Sequence, residues 1–292
     1  AGGYRPGCHS SADRLCYLQG RLMRKRGVGI VGTGRVGSAL ARELSRSGWR
    51  ISGLYDIDSE RAGEIARSVP TGSFESLETL ARRSDILFLT VPDGELASVA
   101  ENLGELPRYR ARFLFHTSGI MPARLLRLAG LDRAVYSLHP FGAIARDAPG
   151  NPFRGMYMSG EGDEAARPIA ESIADDLDCR FAEISESGKG EYHLAASLVA
   201  NHIFALFAPA EELLEDAGIE KARAKSMILR LASSALFNYD RSGLRGLTGP
   251  AVRGDDLTIA EHLITAERFG LKDLYEAGLR ELLKIRDKNR GD

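Results

Sequence analysis

The stretch Gly27-Val28-Gly29-Ile30-Val31-Gly32-Thr33-Gly34-Arg35-Val36-Gly37, running on into Ser38-Ala39-Leu40-Ala41-Arg42-Glu43-Leu44, decides the fold class. A short apolar run, the length of a strand, gives way to glycines spaced G-x-G-x-x-G and then to apolar residues at helical spacing. In such a turn the first glycine permits the tight bend and the second lets a pyrophosphate approach the backbone. The third lets helix and strand pack closely, so that helix N–H groups and the dipole face the phosphates. Glycine-rich turns occur in other α/β proteins, so the flanks carry the weight. Ile51–Tyr55 reads as the next strand and ends on Asp56, about 20 residues past the loop, where a carboxylate accepts ribose hydroxyls and repels a 2′-phosphate. Gly32, Thr33, Gly34, Arg35, Val36, Gly37 and Asp56 are thus candidate cofactor-binding residues, for NAD or NADP with NAD favoured. Ser59 and Arg61 lie near enough to hold a 2′-phosphate if the loop folds back, and Asp56 has the alternative of a solvated turn residue.

Outward from this turn the pattern repeats. Apolar runs at Val28–Val31, Ile51–Tyr55, Ile86–Val91, Phe113–Phe115, Ala134–Leu138 and Met156–Met158 alternate with segments of helical period. Continuous apolar strands between helices predict a mostly parallel sheet covered on both faces, an α/β Rossmann domain over residues 23–184. Open parallel sheets bind ligands outside the carboxyl ends of their strands. Those ends read Thr90-Val91-Pro92-Asp93, His116-Thr117-Ser118-Gly119 and Ser137-Leu138-His139-Pro140-Phe141. Val91, Pro92 and Ser118 therefore join the cofactor set, and Ser118 and His139 the catalytic one. Turn chemistry is the competing explanation for each taken singly.

After Ile184 the strand signals stop, and residues 185–292 are expected to form an all-α C-terminal domain for substrate binding and dimerisation. A segment from Lys189 is apolar around most of its circumference, the mark of a buried helix. Pro209 should kink it and Gly218 end it. Lys189, His193, Ser197 and Asn201 follow one another a turn apart along one face. Polar groups on a buried helix need partners or a cavity, so Lys189, His193 and Asn201 are catalytic candidates, while Ser197 fits better as an internally satisfied hydroxyl. His202 faces away from the stripe. Farther on, Gly249-Pro250-Ala251-Val252-Arg253-Gly254-Asp255-Asp256-Leu257-Thr258 is a loop between helices. Arg253, Asp255 and Thr258 are candidate substrate-binding residues, Arg253 as a bidentate carboxylate clamp. Asp255 or Asp256 has the alternative of capping the helix that begins near Leu257.

Composition narrows the partners. The 292 residues carry a net charge of −1 and no basic stripe, so nucleic acid is not expected. No apolar run is read as a membrane span. Cys8, Cys16 and Cys179 form no CxxC pair or even framework, consistent with a cytoplasmic protein. Residues 1–22 lack apolar patterning and precede a plausible start at Met23, and are expected to be a dispensable, disordered extension. His116, His139 and His193 have no metal-ligand spacing, so no metal is expected.

Together GTGRVG, HTSG, SLHPF, K-x-x-Y-H-x-A-A-x-x-x-x-N and G-P-x-x-R-G-D-x-x-T with His262 after it resemble a known two-domain family. That family joins a Rossmann-like domain to a C-terminal helical domain of unknown function. It sits within the group of 6-phosphogluconate, 3-hydroxyisobutyrate and ketopantoate dehydrogenases or reductases. The resemblance implies NAD(P)-dependent oxidoreduction, with a 2-oxo acid such as ketopantoate as one substrate. In the wider group the first helix of the second domain supplies a catalytic lysine and asparagine. Here the corresponding turn carries His193, with Lys189 a turn earlier and Asn201 two turns later. The expectation is hydride transfer from the nicotinamide to the carbonyl or imine of a small anionic substrate in the interdomain cleft. His193 is the first choice of proton donor and Lys189 the second; Ser118, His139 and Asn201 position the carbonyl. The imidazole suits the role because it titrates near neutrality. The apolar helix from Lys189 needs more cover than a helical domain of about a hundred residues supplies, so a homodimer through the C-terminal domain is expected, as in related dehydrogenases. A protein that senses NAD(P) without turnover is the alternative, since fold does not fix chemistry.

Overall fold

The computed structural model describes residues 26–145 and 150–291; the expectations for residues 1–22, Cys8 and Cys16 included, lie outside the described residues. The chain forms two compact units that divide between Ala200 and Asn201. In the first, strand β1 (Gly27–Val31) is followed by helix α1 (Arg35–Arg46), β2 (Arg50–Tyr55), α2 (Ser59–Ser68), α3 (Leu77–Arg83), β3 (Ile86–Leu89) and α4 (Leu96–Gly104). Then come β4 (Phe113–His116), β5 (Ala134–Phe141), β6 (Tyr157–Gly162), α5 (Arg167–Asp176), β7 (Arg180–Glu183) and α6 (Lys189–Ala200). The strands form one sheet in the order β2-β1-β3-β4-β5-β6-β7. Every neighbouring pair is parallel except β5 and β6. This is the mostly parallel Rossmann-like sheet that the apolar runs predict.

Alternating residues of the central strands feed opposite faces. Ile86 and Phe88 of β3 enter the core formed with α1 and α5, while Leu87 and Leu89 enter the one formed with α4. Phe88 stacks on Phe115 at 4.8 Å, and Phe115 meets Tyr136 at 5.8 Å, so three adjacent strands are stitched by one aromatic row. Helix α1 buries Leu40 and Leu44, one turn apart, against this face. Each such fully buried side chain contributes roughly 1.5–3 kcal/mol relative to exposure.

One strand end is specialised. β4 pairs with β5 only as far as His116 opposite Ser137, but β5 continues along β6 to Phe141 opposite Tyr157. The overhang carries His139 past the end of the parallel sheet. Pro140 lies in it without cost, because no parallel neighbour remains to receive its missing N–H. The sequence reading ended this strand at Leu138 and omitted β7 altogether. In β7 the order Arg-Phe-Ala-Glu puts exposed charged residues at both ends and only two half-buried ones between, as suits a strand at the sheet's edge.

The second unit holds α7 (His202–Asp216), α8 (Lys221–Ser242), a single turn α9 (Pro250–Arg253), α10 (Asp256–Arg268) and α11 (Lys272–Gly291). Two expectations need correction. The helix from Lys189 breaks at Asn201, where the Phe204 N–H bonds the Asn201 carbonyl in a tighter turn, and α7 runs unbroken through Pro209. Proline removes only one rung of the ladder, which flanking turns tolerate. Gly218, at φ +87°, ends α7 as expected. Nor does the single chain bury these helices, which the sequence placed at the centre of a helical domain or a dimer: Lys189 is the one buried residue of α6, and α7 has none. Glu186–Asp216 is also, by length and a mean hydropathy of 1.3, apolar enough to cross a membrane, whereas the sequence reading took no apolar run as a span. In the first unit, Phe88→Ala, which empties the central aromatic row, should cost about 3–5 kcal/mol in chemical denaturation. A loss below about 1 kcal/mol would show that row to be peripheral.

Candidate functional site

The glycine-rich turn is built by steric crowding and a carboxylate. Gly32 has φ +89°, and a side chain there would press on the Thr90 carbonyl oxygen 2.9 Å away. A Cβ on Gly37 would overlap the Gly32 carbonyl oxygen and the Thr90 hydroxyl. That hydroxyl donates to the Gly32 carbonyl at 2.6 Å, clamping β3's end to the turn. Gly34 differs: a Cβ built on it meets nothing within 4 Å. Two glycines are therefore required by the protein's own packing. The middle one borders open space at the start of α1, where free N–H groups and the helix dipole favour an anion.

Asp56 is tied to the same turn. Its Oδ2 accepts from the Thr33 amide at 2.6 Å and the Thr33 hydroxyl at 2.8 Å, and its Oδ1 from the Asp58 amide at 3.0 Å. Burial alone would raise its pKa, but these hydrogen bonds and the charge of Arg61 outweigh it, and the carboxyl stays below the usual aspartate value. Oδ1 keeps a further lone pair, so Asp56 can accept a ribose hydroxyl there while Oδ2 holds Thr33. Arg35 is exposed, Val36 and Val91 are half-buried, and Pro92 is exposed at the end of β3.

A second cluster sits at the carboxyl ends of β4 and β5. The Lys189 ammonium, 2% exposed, donates to the Ser137 hydroxyl at 2.6 Å and the Ser118 carbonyl at 3.2 Å. Glu161 stands 3.8 Å away and accepts the Ala123 amide at 2.6 Å. Burial pulls the Lys189 pKa below the ordinary lysine value, against the opposing charges of Glu161, Asp93 and Glu186. Burial likewise raises Glu161, against the Ala123 amide and Lys189. Lys189, the second-choice proton donor by sequence, is thus an anchor whose donors point into the sheet end. The Ser118 hydroxyl accepts the Ile120 and Met121 amides at 3.3 and 3.0 Å, so turn chemistry accounts for it.

Beside this anchor lie three rings. His139 Nδ1 is 2.8 Å from the Tyr192 hydroxyl, and its ring meets that of His193 edge-on at 6.0 Å. Gly119 lies beneath both imidazoles: a Cβ there would sit 3.0 Å from His139 Nε2 and would overlap His193 Nδ1. His193 Nδ1 is buried without a hydrogen-bond partner. Burial, then the neighbouring charges of His193 and Lys189, lowers His139 to about 4. Burial and the charge of Lys189 lower the fully buried His116 to about 3. His139 and His116 are therefore neutral at pH 7. Tyr192, Gly119, Ser137 and Glu161 were missed from sequence as site residues, although all but Glu161 stood in a quoted motif.

The other expected residues belong to the second unit. Asn201 precedes α7. Asp255 accepts the Thr258 amide at 3.2 Å and caps α10, with Arg253 3.9 Å from its carboxylate. The capping alternative holds for Asp255. Among the described residues no group of three or more His, Cys, Asp or Glu could hold a metal ion.

Residues 17–140 match the Rossmann-like domain model, and residues 156–281 match a domain of unknown function, DUF2520. A Bacteroides fragilis protein provisionally named an NADP oxidoreductase, BF3122, superposes with a TM-score of 0.76 at 22% identity, covering 90% of this chain and 99% of that one. Protein TM1727 of Thermotoga maritima gives 0.70 at 23% identity, with the same coverages. These likenesses establish the fold. Among curated sequences, glyoxylate reductase of Thermofilum pendens is 37% identical over 76 residues, 26% of this chain and 22% of that protein. The redox-sensing transcriptional repressor Rex of Leuconostoc citreum is 35% identical over 82 residues, 27% of this chain and 38% of that protein. The chain thus spans well under half the length of the curated relatives it matches.

The buried histidines set an acid-stability limb. Above pH 6.5 both folded and unfolded forms are neutral; below it the unfolded chain binds protons that the native His139 and His116 refuse until about 4 and 3. Stability therefore falls as pH drops below 6.5, each histidine contributing a slope approaching about 1.4 kcal/mol per pH unit. Unfolding free energies between pH 7 and 4.5 should show His116→Gln shallower by about one proton; an unchanged slope would contradict a suppressed His116.

Proposed function

We propose that this protein is a nicotinamide-dinucleotide-dependent reductase acting on the carbonyl or imine of a small, anionic substrate, with the pyrophosphate over Gly34. The carrying observation is the open space at Gly34, at a helix N-terminus, in a loop whose other two glycines the fold itself requires. The names of similar structures, reductases among them, and the short match to glyoxylate reductase support the same chemistry. The cofactor would supply the hydride. Thr33, Arg35, Val36, Val91 and Pro92 border the cofactor path, and Asp56 would favour NAD over NADP by holding the ribose diol. His193 would deliver the proton to the nascent alkoxide or amine, and His139 would position the carbonyl. Lys189 would act through anchorage, fixing α6 and hence His193 against the sheet. Asn201, Arg253 and Thr258 are proposed for substrate positioning, with Arg253 taking a carboxylate. The membership in the 6-phosphogluconate and ketopantoate dehydrogenase group, and a 2-oxo acid substrate, are part of the same proposal.

The match to a redox-sensing repressor favours a second function, binding of the dinucleotide without turnover. The buried imidazole cluster argues for the enzyme, because a sensor has no need of it.

We also propose that the second unit assembles as a homodimer. Among its described residues only Ala224, Ile228, Ala251 and Ala266 are buried hydrophobics, while Phe204, Leu231, Phe237 and Leu257 are exposed by 58–83%. An apolar surface this extensive needs a cover, and a second copy supplies an identical one.

Calorimetry should find NADH bound more tightly than NADPH, with the gap narrowed in Asp56→Ala. Gly34→Ala should weaken NADH by about tenfold or more while leaving stability unchanged, since nothing in the protein occupies that space. In a panel of 2-oxo acids and imines, His193→Ala should retain NADH affinity and lose about 10²–10⁴ in turnover. Undiminished NADH affinity in Gly34→Ala would remove the cofactor assignment, and undiminished turnover in His193→Ala would remove the proton donor. Light scattering should give twice the chain mass, reduced to the single-chain mass by Leu231→Glu with Phe237→Glu; a concentration-independent monomer would end the dimer proposal.

A further inference from the structure

The His139 ring is held by a phenol with only one proton to give. Tyr192 is half-buried, and burial raises its pKa above the ordinary tyrosine value, so the hydroxyl stays protonated at neutral pH. The hydroxyl lies 2.8 Å from His139 Nδ1, so a phenol that keeps its proton can donate it to that nitrogen. A neutral imidazole whose Nδ1 accepts must carry its own proton on Nε2. That Nε2 faces the position above Gly119, and so does the unpartnered, buried Nδ1 of His193. A buried ring nitrogen without a donor is costly, and His139 Nε2 borders the same position.

We propose that Tyr192 and His139 are positioning residues for His193: the phenol fixes His139 as its Nε2–H tautomer, that N–H faces His193 Nδ1, and His193 is thereby held with its proton on Nε2. The inference rests on the reductase assignment for its purpose but not for its geometry. In that chemistry the hydride goes to the substrate carbon and His193 directs its Nε2–H at the oxygen or nitrogen, which takes its proton through that hydrogen bond with solvent as the source, so that the ring ends neutral. Gly119 belongs to the same device, because any side chain there would wedge the two imidazoles apart. Orientation of one ring by another group's hydrogen bond is the usual way a catalytic histidine is kept in its productive tautomer.

Two-bond proton–nitrogen correlation spectra of histidine-labelled protein read tautomers directly and need no substrate. At pH 7 both His139 and His193 should be Nε2–H tautomers, the signals identified by their loss in His139→Gln and His193→Gln. Tyr192→Phe removes only the hydroxyl. It should shift His139 toward a mixture of tautomers and carry His193 with it, while NADH affinity stays unchanged. On whichever substrate the panel finds, kcat should fall about tenfold with KM little altered. Tautomers unaffected by Tyr192→Phe, or a wild-type His193 protonated on Nδ1, would overturn the proposal whether or not the protein turns substrate over. Absence of NADH binding with the tautomer coupling intact would instead overturn the reductase assignment alone.

Discussion

A single buried ammonium holds the candidate site together. Lys189 begins α6, and its hydrogen bonds to the Ser118 carbonyl and the Ser137 hydroxyl fasten that helix to the ends of β4 and β5. Glu161 on β6 balances the charge from the antiparallel side of the sheet. Everything one turn along α6 inherits its place from this anchor, Tyr192 and His193 included. Burying a lysine this deeply is unfavourable unless it is paired and hydrogen-bonded, and removing one partner of such a pair typically costs about 3–5 kcal/mol. The interaction therefore specifies where α6 starts more than it stabilises the fold.

The sheet supplies the other half of the arrangement. Four parallel neighbours end together, but β5 runs on beside β6, so His139 stands beyond the plane where β4 stops. At the opposite strand pair, Thr90 and Gly37 lock the glycine-rich turn through contacts too tight for any Cβ. The loop is consequently rigid before any ligand arrives, which keeps the ordering cost of binding low. Rigid loop and overhanging strand rise from the same carboxyl edge of one sheet, and a single extended cofactor is the class of ligand such an edge receives.

Much of this was legible in sequence because it is local. G-x-G-x-x-G after an apolar run, and an acid at the next strand's end, are short-range patterns set by turn geometry. What escaped depends on distant partners. Lys189 looked catalytic because spacing showed its face of the helix, whereas its burial comes from Ser118, Ser137 and Glu161 on other elements. Tyr192 adjoins His193 in the chain, but its partner His139 lies on β5. β7 was invisible because an edge strand needs no continuous apolar run. The apolar circumference from Lys189 to Asp216 was read as the centre of a helical domain or of a dimer, and in the single chain Leu194, Leu198, Val199 and Phe204 are exposed. Hydrophobicity records that a surface seeks cover, and it is silent on what provides it.

The central claim is that the space at Gly34 belongs to the pyrophosphate of a nicotinamide dinucleotide. A crystal structure of the protein with saturating NADH tests it most directly. The account predicts the pyrophosphate within hydrogen-bonding distance of the Gly34 and Arg35 amides, the adenosine ribose on Asp56, and the nicotinamide ring toward Gly119 and His193. NADH bound elsewhere with the space at Gly34 left empty, or no dinucleotide bound at saturation, would contradict it.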